Sequence, residues 1–290
     1  MRVIGLMGLL RHLFVRPEKK PIRIFLLRGG FGNQLFQIAG ISHFSRINNF
    51  NVIFCDSDVR LNPRDRMNRN SLDIDFSIWF SPDISIYKSS KFLNHVVRVL
   101  RSKKLQTFSL EEIHSVDLDR KRMSKILFVS GYMQESIYAD SIEKEHLVIP
   151  FQKETLPLIN KVAIHMRGKD GLEQESMRLD LNYYQSALER LGVEPNVQID
   201  VYSDDSKYSR QMCSKIRGFR FNFPEEEFCY TPEVLIAVLT QYEYLIGSKS
   251  TLSWWASYLS VHLSKDRKVV SPWENPLSIE GTIYVQSKQD

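Results

Sequence analysis

From Pro21 onward, short apolar runs of strand length alternate with longer stretches of helical period. Ile22 to Leu27 is the first run, followed by Val52 to Cys55, Ile126 to Val129 and Lys161 to Ile164. Val197 to Tyr202 alternates clearly, and Tyr244 to Ile246 and Val269-Val270 complete the set of expected strands. Helices are expected from Asn33 to about Ile47, from Asn182 to about Leu191 with Asn182 as N-cap, and from Leu252 to about Leu263. Strands alternating with helices predict βαβ units and parallel sheets, an α/β fold class. The polar stretch Gln152 to Pro157, ending in proline, marks a link between two halves.

Ahead of Pro21 the pattern changes. Val3, Ile4, Leu6, Met7, Leu9, Leu10, Leu13 and Phe14 are apolar, but Arg11 and His12 interrupt them. A spanning helix needs about 20 apolar residues, so this segment does not qualify. Arg16-Pro17-Glu18-Lys19-Lys20 offers no small-residue cleavage site of the secretory kind. The expectation for 1–20 is an amphipathic basic segment in contact with an anionic membrane surface, or a docked or mobile terminal helix, on a protein that stays cytoplasmic.

Composition narrows the picture further. With 290 residues and 43% hydrophobic positions, the chain can bury a large core or two domains. Three widely spaced cysteines, Cys55, Cys213 and Cys229, form neither a disulfide framework nor a CxxC zinc pair, which fits a reducing compartment. The formal charge of +5 is uneven: residues 1–28 carry Arg2, Arg11, Arg16, Lys19, Lys20, Arg23 and Arg28 against Glu18. That balance suggests an anionic partner: nucleic acid, a membrane surface or a phosphorylated small molecule.

Ligands of open α/β sheets sit beyond the carboxyl ends of the strands. Three strand ends here are chemically dense: His165-Met166-Arg167-Gly168-Lys169-Asp170, Ser203-Asp204-Asp205, and Gly247-Ser248-Lys249-Ser250-Thr251 before the helix that opens Leu252-Ser253-Trp254-Trp255. Arg167 is a permanent bidentate cation for phosphate, and His165 stands ready to share the anion or position it. Asp170 would orient Arg167 or accept a proton. The helix start after Ser250 offers free N–H groups and a positive dipole end. Ser203, Asp204 and Asp205 suit ribose hydroxyls or guanine N–H donors. Together these groups fit a nucleoside-diphosphate ligand. Gly247-Ser248-Lys249-Ser250-Thr251 lacks the glycine before lysine that a Walker loop needs. Near the amino end, Arg28-Gly29-Gly30-Phe31-Gly32-Asn33-Gln34 joins a strand to a helix without completing GxGxxG, so a nicotinamide or flavin site is weakly supported.

These stretches, in this order, resemble glycosyltransferase family 11, the α-1,2-fucosyltransferases. Gly29-Gly30-Phe31-Gly32-Asn33-Gln34-Leu35-Phe36-Gln37 resembles its amino-terminal signature, and Gly131-Tyr132-Met133-Gln134 its Gly-Tyr-aromatic-Gln segment. His165-x-Arg167-x-x-Asp170 is similar to its His-x-Arg-Arg-Gly-Asp, and Val201-Tyr202-Ser203-Asp204-Asp205 to its Phe-Ser-Asp-Asp. Ser250-Thr251-Leu252-Ser253-Trp254-Trp255-Ala256 resembles its Ser-Thr-Phe-Ser-Trp-Trp-Ala. The departures are Gly168 and Lys169, where the family has arginine and glycine, and Lys249, where it usually has asparagine. Lys169 would restore a cation, though not a bidentate one.

The resemblance implies a GT-B arrangement of two facing Rossmann-like domains, expected over 21–155 for the acceptor and 156–290 for the GDP-sugar donor. It implies inverting, metal-independent transfer of L-fucose from GDP-fucose to the 2-hydroxyl of a galactoside, in surface-polysaccharide synthesis of O-antigen or capsule type. Donor binding would fall to His165, Lys169, Ser203, Asp204, Asp205, Ser250, Thr251 and Ser253, with Arg167 stabilising the leaving diphosphate. Asp170, Glu173 and Glu175 are the carboxylates nearest in sequence for the base, with no choice among them. Gly30, Gly32, Asn33 and Gln34 would line the acceptor side. No cofactor beyond the donor is implied, and the acceptor is expected to be a galactose-containing, lipid-linked glycan.

Three rivals stand beside this. Asp56-Ser57-Asp58 after a strand could hold a divalent ion between diphosphate oxygens. A non-enzymatic polyanion-binding module would also explain the charge, but no helix-turn-helix, zinc or RNP pattern points to nucleic acid. A degenerate member would bind GDP without turnover. Within the family's chemistry, Gly168 and Lys249 leave room for a related GDP-deoxysugar.

Overall fold

The computed structural model describes residues 2–3, 22–48, 51–55, 85–87, 107–109, 126–131, 133–140, 161–168, 178–224, 230–274 and 276–286. The chain divides into two compact units, Met1–Pro150 and Phe151–Asp290, a few residues ahead of the boundary suggested by the polar link.

The first unit is built on a six-stranded sheet in which every pairing is parallel. Its strands are β1 (Arg2–Val3), β2 (Ile22–Leu26), β3 (Asn51–Cys55), β4 (Ser85–Tyr87), β5 (Thr107–Ser109) and β6 (Ile126–Ser130), in the order β1-β4-β3-β2-β6-β5. Helices α1 (Phe31–Asn48) and α2 (Ser136–Asp140) follow β2 and β6. Strand order runs outward from β2 in both directions, so the crevice between β2 and β6 is a topological switch point. β1 pairs Arg2 and Val3 with Ser85 and Ile86 at the sheet edge. The rest of the segment expected to meet a membrane lies outside the described residues.

The second unit repeats the parallel plan. β7 (Val162–Met166), β8 (Gln198–Ser203), β9 (Arg220–Asn222), β10 (Tyr244–Ile246), β11 (Lys268–Ser271) and β12 (Ile283–Tyr284) form an all-parallel sheet in the order β12-β11-β10-β7-β8-β9. Counted from β7, that is 3-2-1-4-5-6, the Rossmann order, with its switch point between β7 and β10. The connecting helices are α3 (Leu181–Leu191), α4 (Ser206–Cys213), α5 (Pro232–Leu239) and α6 (Thr251–Leu263).

All five residues of β7 are buried, as expected of a central parallel strand covered on both faces. Val162, Ile164 and Met166 pack with Ile199 and Val201 of β8 against Tyr183, Tyr184, Leu188 and Leu191 of α3. The alternation of side chains then turns Ala163 and His165, with Asp200 and Tyr202, to the opposite face. Each fully buried Leu, Ile or Phe contributes roughly 1.5–3 kcal/mol, so this layer anchors the strand ends firmly. Asp200 is accommodated there by hydrogen bonds from Tyr242 Oη and Asn222 Nδ2, both at 2.7 Å.

Several elements differ from the sequence expectation. The N-cap of α3 is Asp180, not Asn182: Asp180 Oδ1 accepts the Tyr183 N–H at 2.8 Å, and Asn182 lies exposed inside the helix. A carboxylate at the positive helix end is the better cap. The strands β1, β4, β5, β9 and β12, of two or three residues each, are not expected from the sequence. Helices α4 and α5 were also missed. Cys213 is a free, buried thiol whose burial pushes its pKa up to about 12.

Candidate functional site

The three chemically dense loops all emerge at the carboxyl ends of β8, β7 and β10, which are neighbours in the sheet. Hydrogen bonds knit them together. The Gly168 N–H donates to Asp204 Oδ1 at 2.6 Å, joining the β7 and β8 loops. His165 Nδ1 lies 3.2 Å from Ser248 Oγ, joining the β7 and β10 loops. From the other side of the sheet, Tyr183 Oη of α3 donates to the Gly247 carbonyl at 2.8 Å.

Each candidate takes a distinct place. His165 is almost fully buried, and burial is the main reason its pKa is lowered to about 4. Asp204 opposes the shift and Arg167 adds to it. The imidazole is therefore neutral at pH 7, a hydrogen-bonding strut and not a second cation. Arg167 is half-buried beside it and carries the charge. Ser203 and Asp205 shape the β8 turn: Ser203 Oγ accepts the Asp205 N–H at 3.1 Å, and Asp205 Oδ1 caps α4 by accepting the Tyr208 N–H at 3.0 Å. Asp204 is exposed and bridges to Gly168.

The start of α6 differs from ordinary caps. Ser250 sits at the N-cap, 5% exposed, yet its hydroxyl makes no capping bond. Thr251 opens the helix half-buried. Ser253 Oγ accepts the Ser248 N–H at 2.8 Å, folding the β10 turn back over the first turn of α6. Gly247 permits that fold, because a Cβ there would stand 3.0 Å from Ser253 Oγ and 3.1 Å from Ser257 Oγ. The first N–H groups of a helix have no intrahelical acceptor, so this end presents donors toward the switch point.

In the first unit the motif residues are used differently. Gln37 is fully buried and clamps both backbone groups of Arg28: it accepts the Arg28 N–H and donates to the Arg28 carbonyl, each at 2.9 Å. Gln34, 1% exposed, donates to the Gly29 carbonyl at 2.8 Å. Gly29 itself has φ of 71°, the left-handed region that favours glycine. Gly30 accepts the Gln34 N–H at 3.0 Å, and Gly32 is buried within α1. Asn33 alone among positions 31–41 is not buried, and its Oδ1 accepts Gln134 Nε2 at 2.8 Å. Gln134 follows β6, so this bond spans the switch point of the first sheet. Met133, at φ 53°, packs beside Gly40 so closely that a Cβ there would meet its side chain at 2.5 Å.

Sequence reasoning passed over Gln37, Gln134 and Ser248, although all three lie inside the quoted motifs. Tyr183 and Arg178 gave no signal at all. Lys169, Asp170, Glu173 and Glu175, and the rival Asp56-Ser57-Asp58, lie outside the described residues. Among the described residues no helix is long and apolar enough to cross a membrane.

Comparison with known proteins completes the picture. Among solved structures the chain is similar to the fucosyltransferase NodZ from Bradyrhizobium (11% identity, 83% of this chain and 93% of that chain, TM-score 0.45). It is also similar to POFUT1 in complex with GDP-fucose (11% identity, 93% and 98%, TM-score 0.47). A third is a FUT1 mutant of Arabidopsis thaliana in complex with GDP (10% identity, 83% and 68%, TM-score 0.47). No curated protein sequence matches significantly. The family description "Glycosyl transferase family 11" matches residues 16–267, most of the chain and every motif stretch described above. The chain belongs to glycosyl transferase family 11.

Proposed function

We propose that this glycosyltransferase moves L-fucose from GDP-fucose to the 2-hydroxyl of a galactoside, with inversion and without a metal ion, in the synthesis of a surface polysaccharide of O-antigen or capsule type. One observation carries the donor half of this reading. Arg167, the Asp204-bridged β7 loop and the uncapped start of α6 meet at the switch point of a 3-2-1-4-5-6 sheet. As the glycosidic bond breaks, negative charge grows on the β-phosphate of the departing GDP. A fixed guanidinium and helix N–H donors oppose that charge without reorganising. Neutral His165, buried against Ser248, holds the loop in place. The acceptor half rests on family membership and on the switch point of the first sheet, where Asn33 and Gln134 meet. The base is one of Asp170, Glu173 and Glu175. Cytoplasmic location with the 1–20 segment on the inner membrane surface, near a lipid-linked acceptor, belongs to the same proposal.

The test is incubation with GDP-fucose, other GDP-sugars and a glycan panel, with product mass and linkage determined. A 2-linked fucosyl galactoside is the expected product. A product with another linkage, or none from any galactoside, overturns the acceptor assignment. A second reading, a related GDP-deoxysugar donor, is favoured by Gly168. A side chain at that position would put its Cβ 2.3 Å from Asp205 Cβ, so this loop has no space for the arginine the family motif carries there.

A further inference from the structure

Gly168 is more than a missing arginine. Its N–H is held by Asp204, and its α-carbon stands against Asp205 and Tyr208 of the β8–α4 segment, which leaves no room for a side chain. The β7 loop therefore cannot place a second guanidinium directly after Arg167. Another arginine reaches the same glycine from outside the motif. Arg178, just ahead of the α3 cap, brings Nη2 to 3.5 Å from the Gly168 carbonyl. Its guanidinium carbon lies 5.1 Å from the centre of the Tyr208 ring. Tyr208 is itself held, donating through Oη to the Leu179 carbonyl at 3.3 Å.

This is an incompletely satisfied cation. Nε is buried without a hydrogen-bond partner, and the contact at Gly168 is long. No ion pair involving Arg178 is present among the described residues. The neighbouring carboxylates, Asp180 and Asp205, each cap a helix through an N–H bond. A half-buried guanidinium offers five donors, and leaving them unmatched costs free energy that an anion would recover. The Tyr208 ring beside the guanidinium limits its freedom in advance, which reduces the ordering needed when an anion arrives.

We propose that Arg178 is a second phosphate-binding residue of the donor site, reaching the diphosphate from the α3 side of Gly168 where Arg167 reaches it from β7. This rests on the assignment of a nucleoside diphosphate to the carboxyl end of β7. It adds a residue that no motif contains.

The experiment measures binding of GDP, guanosine and inorganic pyrophosphate to the full chain and to Arg178→Gln, Arg178→Lys and Arg178→Ala. Arg178→Gln keeps part of the apolar stem and a neutral polar end, so it guards against loss of fold in the alanine variant. The expected result is a loss of about tenfold or more for GDP and pyrophosphate in Arg178→Gln, unchanged guanosine binding, and partial recovery in Arg178→Lys. GDP affinity within about twofold of wild type overturns the proposal. So does equal loss for GDP and guanosine, which would make Arg178 a structural brace. Wild-type protein that binds pyrophosphate but not GDP refutes the guanine nucleotide while the pyrophosphate arm still decides Arg178. Wild-type protein that binds neither overturns both.

Discussion

The two switch points, one after β2 and β6 and the other after β7 and β10, share a parallel-sheet plan and differ in what their polar groups do. At the first, motif side chains turn inward. Gln37 clamps Arg28, Gln34 holds Gly29, and Asn33 takes the amide of Gln134. At the second, Arg167 stays half-buried with its charge, and Ser250 declines the capping role its position offers. Motifs equally conspicuous in sequence thus divide into a loop framework and a set that the proposed function turns toward the donor. A buried amide must satisfy its own hydrogen-bonding groups, whereas a permanent cation at a sheet edge retains capacity for an anion.

The largest effect that would break this contrast is at Arg167. Arg167→Ala should lower kcat/KM by about 100- to 1000-fold, equivalent to ~2.7–4 kcal/mol of transition-state stabilisation, with little change in melting temperature. Near-normal turnover would remove Arg167 from the ligand-facing set.

Next in size is the acid sensitivity of the second site. The His165 pKa is lowered to about 4 from 6.5, so the unfolded chain binds the proton more readily. The stability contributed by the neutral buried ring is whole above pH 6.5 and is lost as pH falls toward 4. The loss should approach ~3 kcal/mol, read as a falling urea midpoint. His165→Asn should flatten that profile; an unchanged profile would show that the ring is solvated.

Gln37→Leu should cost about 2 kcal/mol of stability through two lost hydrogen bonds, measured by chemical denaturation. If Gln37 belongs to the framework alone, GDP affinity should remain at the wild-type value, and a selective loss of ligand affinity would blur the contrast.

The finest distinction sets two helix caps side by side. Asp180→Ala should lose about 1 kcal/mol, as an engaged cap does. Ser250→Ala, whose hydroxyl makes no capping bond, should lose under about 0.5 kcal/mol while weakening donor binding. Equal destabilisation by both would return Ser250 to the role of a plain cap.

Much of this was legible along the chain. The central strands and α1, α3 and α6 follow from short apolar runs bounded by polar residues or from helical period. Edge strands such as Arg220–Asn222 and Ile283–Tyr284 did not, because short edge pairings carry little apolar signal of their own. Motif spacing brought three chemically dense loops together because each follows a strand, and parallel strands deliver their ends to one side of the sheet. Yet spacing could not distinguish Gln34 from Asn33, adjacent polar residues at one helix start. Only the packing of α1 shows that one is 1% exposed and bonded inward, while the other meets a loop a hundred residues away.

Chain order and residue chemistry thus establish the α/β class, the family and the three chemically dense loops that share one side of the second sheet. These are local properties, written in apolar period and in side-chain type. Tertiary structure alone decides that β7 and β10 are neighbours, that His165 is neutral, that Gly168 has no space for a side chain, and that Arg178 arrives beside it. Each depends on which distant segments pack together, and on the burial and electric field that packing imposes at a single atom.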